Sequence, residues 1–195
     1  DEYDKPILDN LEDLSVVVNL RDQLKDFYGA IKPLDVYIRF VFLTGVSKFS
    51  KTGIFSGLNN LKDITLDKRY SSICGYTEED LLTVFRERVT SFDLKEISRW
   101  YNGYSWLGES VYNPFDILLF FDEGVFRPFW FETGTPSFLL KIWKADPRSP
   151  ADYDGMVIGE EILGSFDPEQ IRMETLLYQS GYLTIREWTA DAVRG

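Results

Sequence analysis

The eight residues from Val36 to Leu43 constrain this chain more than any other stretch. Val36, Ile38, Phe40, Val41, Phe42 and Leu43 form a near-continuous apolar run rich in β-branched and aromatic side chains, which predicts a strand covered on both faces in a parallel α/β sheet. Ligands of open α/β sheets sit beyond the carboxyl ends of the strands. Here that end is Thr44-Gly45, followed by Ser47, Lys48, Ser50, Lys51, Thr52 and Gly53. No acidic residue occurs from Val36 to Lys62, whereas Arg39, Lys48, Lys51 and Lys62 are basic. In a chain of net charge -11 this local reversal of sign suits an anionic ligand such as a phosphate. A solvated Ser/Gly/Lys loop is the plainer alternative.

The chain's 195 residues, 44% of them hydrophobic, suffice for one substantial core or two small ones. No apolar run approaches the roughly 20 residues that cross a bilayer, and no signal segment opens the chain, so a cytoplasmic protein without membrane contact is expected. Cys74, the only cysteine, fits a reducing compartment. Histidine is absent, which excludes histidine-based triads and imidazole zinc sites. The excess of 32 acids over 21 bases disfavours nucleic acid as a partner. The opening on Asp1 and the close at Gly195 suggest a portion of something longer.

Before the run, Val17, Leu20, Leu24, Phe27, Tyr28 and Ile31 recur at three and four residues, predicting an amphipathic helix from about Leu14 to Ile31 that Pro33 ends. From Thr77 onward five capped helix starts follow, at Thr77, Asp93, Asn113-Pro114, Thr135-Pro136 and Asp167-Pro168. Phe126 to Phe131 reads as extended but limited to an edge by Pro128. Ala145 to Gly155 is the best internal linker candidate. A last helix to Tyr178, a glycine stop at Gly181 and a strand from Tyr182 to Trp188 have the order of a winged-helix module without its second wing strand. A helix packed on a short strand is the alternative.

Gly45 to Thr52 matches the phosphate-loop pattern G-x-x-x-x-G-K-[ST] except that Ser50 replaces the second glycine. Glycine supplies the backbone freedom for wrapping phosphate oxygens and a helix must follow at once. Gly53 and Gly57 break that turn, so the cradle reading is declined. Asp1-Glu2 has the chemistry of an acidic pair at a strand end, the first carboxylate holding magnesium and the second acting on water, although two surface carboxylates are the ordinary reading. The aromatic runs Trp100 to Trp106 and Phe129 to Phe131 could stack bases; core packing is preferred, with Asn102-Gly103 as a helix cap and turn.

In order along the chain, DEYDKP, FLTGVSKFS, IFSGLNNLKDIT, CGYTEEDL, WYNGYSW, VYNPFDIL, FWFETGTPSFL and LLYQSGYLTI resemble the bacterial AAA-ATPase-like family, from Asp1 to about Trp188. The resemblance implies a P-loop NTPase whose phosphate loop lies upstream, often with a restriction-endonuclease-like nuclease domain downstream. It makes Asp1 the magnesium acid, Glu2 the catalytic carboxylate, Thr44 the polar end of a sensor strand and Lys48 a charged sensor. The implied fold is α/β, a partial P-loop NTPase layer at 1–66, a helical lid region at 67–145 and a winged-helix-like tail at 146–195. ATP and magnesium are then cofactors of the full-length protein, while these residues alone are expected to be inactive. A binding module that has lost hydrolysis and holds a partner protein is the second reading. Self-association through an apolar sheet edge is a further expectation.

Overall fold

A computed structural model of the protein describes residues 2–48, 53–131, 139, 143–144, 148–163, 172–189 and 192–194. It is mixed α/β, mainly helical with little sheet. Helix α1 (Lys5–Leu8) leads into α2 (Leu14–Gly29), where the Asp13 side chain accepts from the Ser15 and Val16 N–H groups and so satisfies two donors that a helix start leaves open. Val17 is buried and Leu20, Leu24 and Tyr28 pack beside it, as the periodicity predicts; Phe27 instead faces solvent.

The predicted strand Val36 to Leu43 is not a strand. Asp35–Tyr37 form a 3-10 turn, and the following residues run without a ladder partner among the described residues. Val36, Tyr37 and Phe40 are 83%, 84% and 80% exposed, so the expected burial on both faces is also corrected. The physical reason is that a strand is defined by pairing, and apolar, β-branched composition only makes a segment ready for it. At the run's end the Tyr3 N–H donates to the Thr44 carbonyl at 3.1 Å.

Helices α3 (Glu78–Thr83), α4 (Arg86–Val89), α5 (Leu94–Tyr101) and α6 (Pro114–Glu123) then fold around the hairpin β1 (Asn102–Tyr104) and β2 (Val111–Tyr112). Three of the five expected helix starts lie in this region and all three are used. Thr77 and Asp80 form a reciprocal capping box, Asp93 accepts from the Lys95 N–H, and Asn113 caps α6 with Pro114 as its first residue. The other two, Thr135-Pro136 and Asp167-Pro168, fall outside the described residues. Asn102 caps α5 but continues directly into β1, so Asn102-Gly103 is not a turn. Phe129–Phe131 is a 3-10 turn and not a strand, consistent with the fixed φ that Pro128 supplies at its start. Tyr101, Tyr112, Ile117, Phe120 and Phe129 make one aromatic-rich core, which uses the aromatic runs for packing.

A three-stranded antiparallel sheet closes the chain. Its strands are β3 (Val157–Ile158), β4 (Glu187–Thr189) and β5 (Ala192–Arg194), in the spatial order β3-β5-β4, with α7 (Glu160–Leu163) and α8 (Met173–Gln179) between β3 and β4. The expected strand at 182–188 is therefore shorter and later, and it pairs antiparallel with β5. The expected linker Ala145 to Gly155 is corrected over its described residues 148–155, while residues 145–147 lie outside the described residues. Residues 150–153 form a capped 3-10 turn, and Tyr153 is buried beside Ile7, Leu8, Met173 and Leu176, because its ring and the apolar ends of both terminal regions share one core.

Candidate functional site

The DEYD motif and the TGVSK loop meet in space. Tyr3 holds both ends of the loop, its N–H donating to the Thr44 carbonyl and its hydroxyl to the Ser47 carbonyl at 2.5 Å. Its ring lies edge-on to Phe55 and to Tyr28 of α2, which fixes the tyrosine and through it the loop. Asp4 is fully buried, its two carboxylate oxygens accepting separately from the Val46 N–H at 3.1 Å and the Ser47 N–H at 2.5 Å. Burial raises the Asp4 carboxyl above its ordinary value, and those backbone donors offset only part of the rise.

Close approach explains Gly45. A Cβ there would fall 2.4 Å from Asp4 Oδ1 and 2.8 Å from the Tyr3 ring, so any side chain would displace the carboxylate from its amides.

Of the sequence-predicted site residues, Asp1 lies outside the described residues. Glu2 is exposed and adopts φ +51°, a left-handed conformation uncommon for a non-glycine residue, immediately before the Tyr3 anchor. Thr44 is half-buried at the loop entrance. Lys48 is paired through its ammonium to Asp63, while its backbone N–H donates to the Gln179 side chain at 3.0 Å. Burial acts to raise the Asp63 carboxyl, but the hydrogen bonds from Lys48 and Thr65 and the Lys48 charge hold it below the ordinary carboxylate range. Ser50, Lys51 and Thr52 lie outside the described residues.

The fold therefore revises the reading of this loop as an acid-free, anion-seeking segment. It is acid-free in sequence only, since Asp4 occupies the amides of residues 46 and 47 and Asp63 occupies Lys48. Asp4, Asp63 and Gln179 carry no local signal as site residues, and Gly45 reads in the sequence as the first glycine of the declined phosphate-loop pattern. Gln179 lies 131 residues from its loop partner, beyond any local pattern.

Chemically the described part of the site offers an exposed carboxylate at Glu2 and a hydroxyl at Thr44 next to a rigidly held loop. These are hard oxygen donors of the kind that suit magnesium or water. Among the described residues no group of three or more His, Cys, Asp or Glu side chains is placed to hold a metal. Among them, too, no helix is long and apolar enough to cross a membrane.

The model of the family described as "Predicted AAA-ATPase" matches residues 1–55, the span that contains both the DEYD motif and the TGVSK loop. An uncharacterized protein from the vnfD 5' region of Azotobacter chroococcum mcd 1 is 50% identical over 185 residues, which cover 95% of this chain and 36% of that protein. The chain thus spans about a third of that relative's length. No solved structure matches. Over residues 1–55, therefore, the chain is similar to the predicted AAA-ATPase family.

Proposed function

We propose that these residues form the sensor-and-lid portion of an ATP-hydrolysing conformational switch, completed by a phosphate loop upstream of Asp1. The observation that supports this reading is the hydrogen bond from Tyr3 to Thr44, which sets the residue after Glu2 beside the polar end of an apolar, strand-ready run. In an ATPase, water attacks the terminal phosphorus, the bond to the ADP oxygen breaks, and the water's proton must be taken up. Glu2 is assigned to orient and deprotonate that water, Asp1 to hold the magnesium that neutralises phosphate charge, and Thr44 to hydrogen-bond the water or the terminal phosphate. Lys48 reaches the phosphate only after leaving Asp63. The described residues of 157–194 run strand, helix, helix, strand, strand with sheet order β3-β5-β4, an arrangement that supports a winged-helix-like body able to follow the loop through Gln179.

The test uses the full-length protein. Magnesium-dependent ATP binding and steady phosphate release are expected, with Asp1→Asn weakening the magnesium-dependent binding. Thr44→Ala is expected to slow turnover by roughly tenfold to hundredfold, as loss of one polar contact costs about 1 to 3 kcal/mol. Full activity in Thr44→Ala would remove the hydroxyl from the mechanism. Residues 1–195 alone are expected to show no phosphate release.

The engagement of Lys48 by Asp63 and the exposed apolar run favour a second reading, a binding module without hydrolysis. In that case Val36, Tyr37, Phe40 and Phe42 are the adhesive surface, and residues 1–195 should self-associate through them. Sedimentation over a concentration series should show a dimer that Phe40→Glu abolishes; a monomer throughout removes self-association.

A further inference from the structure

We infer that Asp4 is a positioning residue for the site, acting on hydrolysis through the Thr44 to Ser47 loop; this rests on the ATPase reading above. A fully buried carboxylate is costly unless it is satisfied, and Asp4 is satisfied by two consecutive amides of the loop, one on each oxygen. With the two bonds from Tyr3, four hydrogen bonds from two adjacent residues fix a four-residue loop. Glu2 directly precedes Tyr3. The clamp therefore sets the distance between the proposed base and the Thr44 hydroxyl with no flexible segment between them. Asp4 itself is enclosed and its oxygens are engaged, so it touches neither nucleotide nor water. Its effect passes through the loop.

The consequence is a separation of kcat from binding. A misplaced loop costs alignment of the attacking water, which matters in the transition state, and leaves ground-state nucleotide contacts in place. Asp4→Asn puts an amide NH₂ against one of the two loop N–H groups, and Gly45→Ala displaces the same carboxylate from the opposite side. Tyr3→Phe is the mild member of the set, removing the bond to the Ser47 carbonyl while keeping the ring and the backbone bond to Thr44.

In the full-length protein, phosphate release, calorimetric ATP affinity and amide exchange across residues 44–48 are measured on all three variants. Asp4→Asn and Gly45→Ala should each lower kcat roughly tenfold to hundredfold with little change in ATP affinity. Tyr3→Phe should lower it by a smaller factor, and in all three the amides of Val46 and Ser47 should exchange faster. Should the two severe variants fail to fold, Tyr3→Phe carries the test alone. Wild-type kcat with a loosened loop, or equal losses in kcat and affinity, would overturn the positioning role. A wild-type protein that binds no ATP and releases no phosphate would overturn the ATPase reading instead, and is told apart because the exchange pattern of the variants still reports the clamp.

Discussion

Glu2→Gln in the full-length protein is expected to hold magnesium-ATP with wild-type affinity while phosphate release falls by a factor of about 100 or more, the range in which a positioned general base contributes. The amide has the shape of the carboxylate and can still accept a hydrogen bond from water, but it cannot take the proton. Glu2 is exposed, and glutamine meets the same constraint at φ +51° that glutamate does. Folding should be untouched, so a loss of turnover would be chemical in origin. Calorimetric affinity and phosphate release measured side by side decide it, and unchanged hydrolysis in this variant would show that the acidic pair has been misread.

Asp116→Asn is expected to make the protein more stable near neutral pH and to flatten its stability between pH 4 and 7. Asp116 is the third residue of α6, only 1% exposed, with Oδ1 lacking a hydrogen-bond partner among the described residues. Burial pushes its carboxyl up to about 6. The N-terminus of α6 favours a negative charge there by about 0.3 to 1 kcal/mol, less than the burial opposes it. The sign follows from proton binding. Between pH 4 and 6 the folded state keeps a proton that the unfolded state has lost, so stability falls as pH rises through that window and levels off above about 6. The gap from the ordinary value of 3.8 corresponds to about 3 kcal/mol at most. Urea unfolding from pH 4.5 to 8 should show this slope in the wild type and its reduction in the variant; identical slopes would place the titration elsewhere.

Local signals survived translation into structure well. The Asp13, Thr77, Asp93 and Asn113 caps and the Val17-Leu20-Leu24-Tyr28 stripe depend on neighbours within one or two turns, and a sequence displays such neighbours directly. The run Val36 to Leu43 shows the limit. Its composition states that it can pair, but pairing requires a second strand, and that cannot be read from the run itself. Tyr153 shows the converse error, since acids and prolines around it mimic a linker while one buried ring ties the segment into the core. At the candidate site, Thr44 and Lys48 were noticeable in the sequence because they stand beside an apolar run. Asp4 and Asp63 were not, because their importance lies in approaching the loop from 42 and 15 residues away.

The bond from the Lys48 N–H to Gln179 also bears on the order in which the chain assembles. Joining segments 131 residues apart demands loop closure over most of these residues. The Tyr3 and Asp4 bonds to the loop close only 42 to 44 residues and can form early, whereas the Lys48 amide lacks its Gln179 partner until α8 has emerged and docked. During synthesis the Lys48 amide therefore waits for the carboxyl-terminal helix, and it should be among the last of the loop to gain protection in a pulse-labelling refolding experiment.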